Sequence, residues 1–140
     1  MFWSYLTIIN EIRVMRQFRN SRYWVSEVGK VSRLFPKKEY INNKGYVTQS
    51  YPDRYKQRKQ QIHDNRPYMS LNINGIVVRF LVYRLVAELY VPGYFEGVVV
   101  DHIDNNPLNS HYTNLQWCSQ EYNVYKGNKI TFPLYIEWSK

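Results

Sequence analysis

Cysteine is nearly missing from this chain: Cys118 stands alone among 140 residues. One thiol has no internal disulfide partner and cannot build a multi-cysteine zinc site, so a reducing, intracellular setting is the simplest home. Long apolar runs are missing too, and no stretch approaches the roughly 20 residues a membrane span requires. The opening Met1-Phe-Trp-Ser-Tyr-Leu-Thr-Ile-Ile-Asn10 lacks a basic n-region and meets polar residues too early for a signal peptide. Negative charge is scarce: 11 Asp and Glu against 19 Lys and Arg leave a net +8 at pH 7. An excess of that size calls for a polyanionic partner, nucleic acid first and an anionic membrane surface second.

What is present is a globular composition, 44% hydrophobic and 21% charged, which excludes wholesale disorder. The aromatic load of 14 Tyr, 4 Trp and 6 Phe exceeds one small core's needs and leaves rings for a binding face. Residues 4–18 set Leu6, Ile9, Met15 and Phe18 along one face and read as a helix, although their β-branched content also suits a strand. Alternation around Gly29 over residues 23–35 predicts two short strands joined at a glycine turn. Residues 45–51 read as a third strand after the turn Asn42-Asn-Lys-Gly45. The polar stretch 52–66, with Arg54, Lys56, Arg58, Lys59 and Arg66, reads as a linker or as a loop facing a phosphate backbone.

Residues 68–73 and 76–80 flank Asn74-Gly75, the signature of a hairpin with a two-residue type I′ turn. Residues 81–90 form an amphipathic helix, with Leu81, Leu85, Val86 and Leu89 inward and Arg84 and Glu88 outward, ended by Pro92-Gly93. A buried strand over 98–103, a loop over 104–114 dense in turn formers and a return strand over 115–117 follow. A helix over about 120–126, capped by Ser119 and stopped by Gly127, closes the order. Trp24, Val28, Val31, Trp117 and Cys118 are expected in the core, His63 and His111 in solvent, and Asp104 in a turn.

Hydrolysing a phosphodiester requires a base to deprotonate water, a cation to offset phosphate charge, and rigid positioning of both. His102 suits the first role, since an imidazole with an ordinary pKa of about 6.5 is largely neutral at physiological pH. Asp101 beside it supplies a hard anionic oxygen. Strand neighbours point to opposite faces, so this pair serves one site only where the strand ends and twists. Asn123, on the closing helix, offers an amide oxygen as a second ligand. Together they are an all-oxygen set that suits Mg²⁺ or Mn²⁺ better than Zn²⁺. Asn114 closes the loop between the strands, where its side chain can bond loop backbone groups and hold the strand bearing His102.

Asp101-His102-Ile-Asp-Asn-Asn-Pro107, followed by Asn114-Leu-Gln-Trp117 and Glu121-Tyr-Asn123, closely resembles the HNH homing endonucleases common in bacteriophages, in the variant with asparagine at the third position. The resemblance implies an α+β fold with a ββα-metal nuclease unit. It implies His102 as general base, Asp101 and Asn123 as metal ligands, and Asn114 as the catalytic residue that fixes the loop. One Mg²⁺ or Mn²⁺ per site and double-stranded DNA as partner follow, with cuts leaving 5′-phosphate and 3′-hydroxyl ends. No membrane and no small-molecule cofactor is expected, and the cytoplasm of a phage-infected bacterial host is the implied location. Residues 82–88 match the segment that precedes the motif, with Tyr83 where many members carry histidine. Residues 23–34 resemble a small N-terminal DNA-binding segment.

The expected organisation is therefore 1–66 for DNA binding and a basic linker, 67–127 for the nuclease and 128–140 as a tail. The helical DNA-binding domain that follows the nuclease in some relatives is expected to be lacking. Lys30, Arg33, Lys37, Lys38, Arg54, Lys56, Arg58, Lys59 and Arg84 are read as phosphate contacts ahead of a merely solvated face. Two rivals stay open: a DNA-binding protein with a vestigial site, and an RNA-binding protein whose tyrosines stack on unpaired bases. Monomer or dimer, and nicking or double-strand cleavage, also stay open.

Overall fold

A computed structural model of the chain describes Ile12 and residues 14–131, leaving aside the side chains of 127–131. Most of the helix expected over residues 4–18 lies outside that range. Within it Ile12 is helical, but Arg16–Gln17 form a short strand, β1, so the helix does not extend to Phe18. Strands β2 (Tyr23–Val25) and β3 (Val31–Phe35) follow, joined across Gly29 at φ +91°. Next come β4 (Lys38–Ile41), β5 (Val47–Tyr51), β6 (Arg54–Gln57) and β7 (Gln61–His63). The hairpin β8 (Arg66–Ile73) and β9 (Ile76–Leu81) leads into helix α1 (Val82–Tyr90). The last elements are β10 (Val99–His102), a 3-10 turn at Tyr112–Asn114, β11 (Leu115–Cys118) and helix α2 (Gln120–Thr131).

Among the described residues the strands form four antiparallel sheets: β1-β2-β3-β6, β4-β5, β7-β8-β9 and β10-β11. The protein is thus α+β. Asn74 and Gly75, both at positive φ (53° and 85°), make the tight turn that the Asn-Gly pair predicts. The stretch 52–66 corrects its reading as linker or loop. β6 pairs with β3 and β7 with β8, yet their side chains stay almost wholly in solvent. Strands without a buried face carry no apolar alternation, which is why the pattern missed them and the equally exposed β4. Gly127 does not stop α2, which runs on to Thr131; a glycine inside a helix costs only about 1 kcal/mol relative to alanine.

One buried cluster joins the N-terminal strands, the β8–β9 hairpin, α1 and the β10–β11 ribbon. Phe18, Tyr23, Val25 and Val31 meet Met69 and Leu71 of β8, Val82, Leu85 and Val86 of α1, and Leu115 of β11. α1 lies at its centre, with Arg84 and Glu88 left in solvent as the helical spacing predicts. Trp24 is only half-buried and Val28 is 47% exposed, so neither is core; Val28 lies in the turn between β2 and β3. Polar bonds lock the same seam. The Tyr90 hydroxyl donates to the Val25 carbonyl at 2.6 Å, and the Asn72 amide donates to the Tyr23 hydroxyl at 3.0 Å.

Gly29 shows how tight this seam is. A Cβ there would lie 2.7 Å from Val82 Cγ1 and 3.3 Å from Ser110 Cβ, on a backbone that L residues rarely adopt. Gly29→Ala is therefore expected to cost about 3 kcal/mol from strain and overpacking together, read as a lower midpoint in urea unfolding. No helix among the described residues is long and apolar enough to cross a membrane.

Candidate active site

β10 and β11 form a two-stranded ribbon with Asp101 opposite Gln116 and His102 opposite Leu115. β10 ends at His102, which is where its alternation breaks down and neighbouring side chains can share a site. The loop from Ile103 to Asn114 is held by Asn114, which is buried. Its Nδ2 donates to Asp104 Oδ1 at 2.9 Å and to the Asn109 carbonyl at 3.0 Å, while its Oδ1 accepts from the Asp104 amide at 3.0 Å. The Ile103 amide donates to the Asn114 carbonyl at 2.7 Å. Asp104 takes the turn position expected of it, accepting from the Asn106 amide and from Asn109 Nδ2. The Asn109 bond is the largest cause holding its carboxyl below the usual carboxylate range.

Asp101 is 4% exposed. Its Oδ2 accepts from Gln116 Nε2 and from the Lys126 ammonium, each at 2.8 Å. The His102 ring rests edge-on against buried Tyr83, with centroids 4.5 Å apart. Tyr83 is thus the wall against which the imidazole rests. Burial pushes the His102 pKa below its ordinary value, against the opposing pull of Asp101 and Asp104. His102 Nε2 is buried and has no hydrogen-bond partner among the described residues. A buried polar atom left single is costly, so it marks a group reserved for something that arrives later.

Asn123 is exposed on α2, whose start is capped by the Ser119 hydroxyl accepting from the Tyr122 amide at 3.1 Å. Asn123 lines one cleft of about 530 Å³ together with Asp101, His102, Tyr83, Arg66 and Arg84. Asn114 stands behind this cleft and does not line it. Among the described residues there is no group of three or more His, Cys, Asp and Glu fit to hold a metal. The donor set is instead a carboxylate and an amide, hard oxygens that fit Mg²⁺ or Mn²⁺. A cation already lies at that carboxylate, the Lys126 ammonium.

Elsewhere, His111 is not merely solvated: it stacks on Tyr112 and its Nδ1 accepts from the Thr113 amide at 3.2 Å. Exposed His63 lies beside Asp64. Trp117 donates from Nε1 to the Val91 carbonyl at 2.9 Å, and partial burial raises the Cys118 thiol pKa.

The basic residues fall into two groups. Lys30, Lys37, Lys38, Arg54, Lys56, Arg58 and Lys59 are exposed and Arg33 half-buried, all away from the cleft. Register places Arg33 opposite Lys56 and Phe35 opposite Arg54, and both guanidinium groups lie over the Phe35 ring, at 5.1 and 5.3 Å. Like charges directly opposed on a sheet repel, so this face is suited to an anion. Lys37 is engaged by Glu39 at 2.7 Å, and Lys38 lies over Tyr40. Arg84 belongs to the second group, at the cleft.

Sequence reasoning named Arg66 only within a stretch read as a linker or phosphate-facing loop, and passed over Arg79. Arg66 lines the cleft with Arg84, and Arg79 shares one neighbouring groove with Arg84 and another with Arg66. Lys126 was passed over as well. Its signal was its place three residues beyond Asn123, one helical turn along the same face.

A strand, a locked loop, a returning strand and a helix, carrying Asp-His at the end of the first strand and an amide on the helix, define a ββα unit of the HNH class. Residues 80–125 of this chain match the family model described as HNH endonuclease. Over 45 residues it is 53% identical to DNA endonuclease I-HmuI of Bacillus phage SP01, a stretch that is 32% of this chain and 26% of that protein. Over 120 residues it is 26% identical to YosQ, an SPbeta prophage-derived protein of Bacillus subtilis strain 168, covering 84% of this chain and 58% of the relative. A solved structure showing DNA binding and cleavage by I-HmuI superposes with a TM-score of 0.60 at 32% identity, over 84% of this chain and 57% of the other. The chain thus spans less than two thirds of the length of each.

Proposed function

We propose that this chain is a metal-dependent DNA endonuclease of the homing type, cutting phosphodiester bonds in double-stranded DNA. The observation that carries the reading is one cleft lined by Asp101, His102 and Asn123, in which the imidazole Nε2, kept from its charged form by burial, has no hydrogen-bond partner among the described residues. In this reading His102 takes a proton from water at Nε2, and Tyr83 keeps the ring from turning away. Asp101 and Asn123 hold one Mg²⁺ or Mn²⁺, which when bound supplies positive charge against the phosphate and its leaving oxygen. Asn114 fixes the loop so that His102 does not shift between turnovers. The N-terminal region (1–66) serves DNA binding, 67–127 the nuclease.

Arg66, Arg79 and Arg84 continue the cleft as a phosphate track, while Lys30, Arg33, Lys37, Lys38, Arg54, Lys56, Arg58 and Lys59 position the duplex from the N-terminal side. Phosphate contacts release counterions, so affinity should fall steeply with salt. Arg66→Ala and Arg84→Ala should each lower the slope of log K against log salt by about 1 and weaken binding alike for all sequences. Fluorescence anisotropy with a labelled duplex over a salt series reads both.

The test of the whole reading is conversion of supercoiled plasmid to open circle or linear DNA with Mg²⁺ or Mn²⁺, against an EDTA control. Metal-dependent conversion supports it. A chain that binds duplex DNA but leaves plasmid intact is a binding module with a vestigial site. Preference for single-stranded RNA over duplex DNA would point to the third reading.

A further inference from the structure

The Lys126 ammonium has three donors and three oxygens to receive them. It lies 2.8 Å from Asp101 Oδ2, 2.8 Å from the His102 carbonyl and 3.1 Å from the Ile103 carbonyl. The side chains of Lys126 and Asp101 are only 16% and 5% exposed, so this is a largely buried ion pair. A carboxylate and two backbone carbonyls around one positive centre form the kind of oxygen shell that a hard metal ion takes. Lys126 also sits one turn after Asn123 on α2. The helix that brings the amide ligand to the cleft therefore brings its own cation to the carboxylate.

We propose that Lys126 is a tethered competitor for the divalent ion: it holds Asp101 until the ion displaces its ammonium. This inference rests on the metal reading given above. Two cations cannot share one Oδ2 at bonding distance without strong repulsion, so the ammonium must withdraw when a divalent ion binds there. Apparent affinity is then reduced by the fraction of molecules in which the carboxylate is already released. The arrangement keeps the buried Asp101 charge paired in the metal-free protein, where an unpaired buried carboxylate would be costly. It also biases the cleft toward doubly charged ions, since a monovalent ion gains no charge advantage over the lysine it replaces.

The test is Mn²⁺ binding to the full chain without DNA, followed by electron paramagnetic resonance of free Mn²⁺. Wild type is compared with Lys126→Met, which removes charge and donors, and Lys126→Gln, which removes the charge but keeps a donor for the carbonyls. Far-UV circular dichroism checks folding, and Lys126→Gln carries the test if Lys126→Met does not fold. Freed of its competitor, Asp101 should bind Mn²⁺ about tenfold more tightly, the change in equilibrium constant that about 1.4 kcal/mol produces. Lys126→Arg, which keeps the charge, should stay within about threefold of wild type, a difference below about 0.7 kcal/mol. Equal or weaker Mn²⁺ affinity in folded Lys126→Gln, with saturable binding in wild type, overturns the competitor and leaves the metal site standing. No saturable, Asp101-dependent binding in wild type or either neutral variant overturns both.

Discussion

His102→Ala should nick supercoiled plasmid on the order of a thousandfold more slowly than wild type, the middle of the range that a positioned general base contributes. The side chain touches Tyr83 and lines the cleft, but it takes part in no described bond that holds the loop. Duplex affinity should therefore change by less than about twofold, because phosphate contacts carry most of the binding. That split separates a base from a DNA-binding residue. A variant that loses affinity and rate in equal measure would make His102 a contact to DNA and not the proton acceptor. Burial disfavours the charged imidazolium, and Nε2 has no hydrogen-bond partner among the described residues.

The second large effect belongs to a residue outside the cleft. Asn114→Ala removes three hydrogen bonds at once; the Asn109 carbonyl and the Asp104 amide lose the partner described for them, while Asp104 Oδ1 keeps the Asn106 amide. Asp104 is exposed and can turn to water, which limits the loss. The expected destabilisation is about 2–3 kcal/mol, seen in urea unfolding, with nicking falling further than duplex binding as the loop after His102 loosens. Asn114→Asp should be worse at pH 7, since it sets a second carboxylate where Nδ2 now lies 2.9 Å from Asp104 Oδ1. Full activity in Asn114→Ala would show that the loop needs no such tie.

Particular residues show what could be read ahead of the structure. The β8–β9 hairpin was legible because Asn74-Gly75 admits few other turns, and α1 because Leu85 and Val86 alternate with Arg84 and Glu88 at helical spacing. The convergence of Asp101 and His102 was legible because turn-forming residues begin directly after them, so the strand had to end there. β4, β6 and β7 were not legible, because a strand with both faces in solvent looks like any polar loop. Lys126 was hidden for a related reason. A lysine late in a helix is usually a solvated charge favoured by the helix dipole, and only the tertiary arrangement shows that this one reaches back to β10. Arg66 and Arg79 became visible as site residues only once the grooves they share were placed around the cleft.

Anomalous diffraction from a crystal soaked in Mn²⁺ would examine the heart of this account without any assay of activity. The expected result is a single strong peak at coordination distance from an Asp101 carboxylate oxygen and the Asn123 amide oxygen, with the Lys126 ammonium withdrawn. A peak bound elsewhere, with Asp101 still gripped by Lys126 at full Mn²⁺ occupancy, would contradict it.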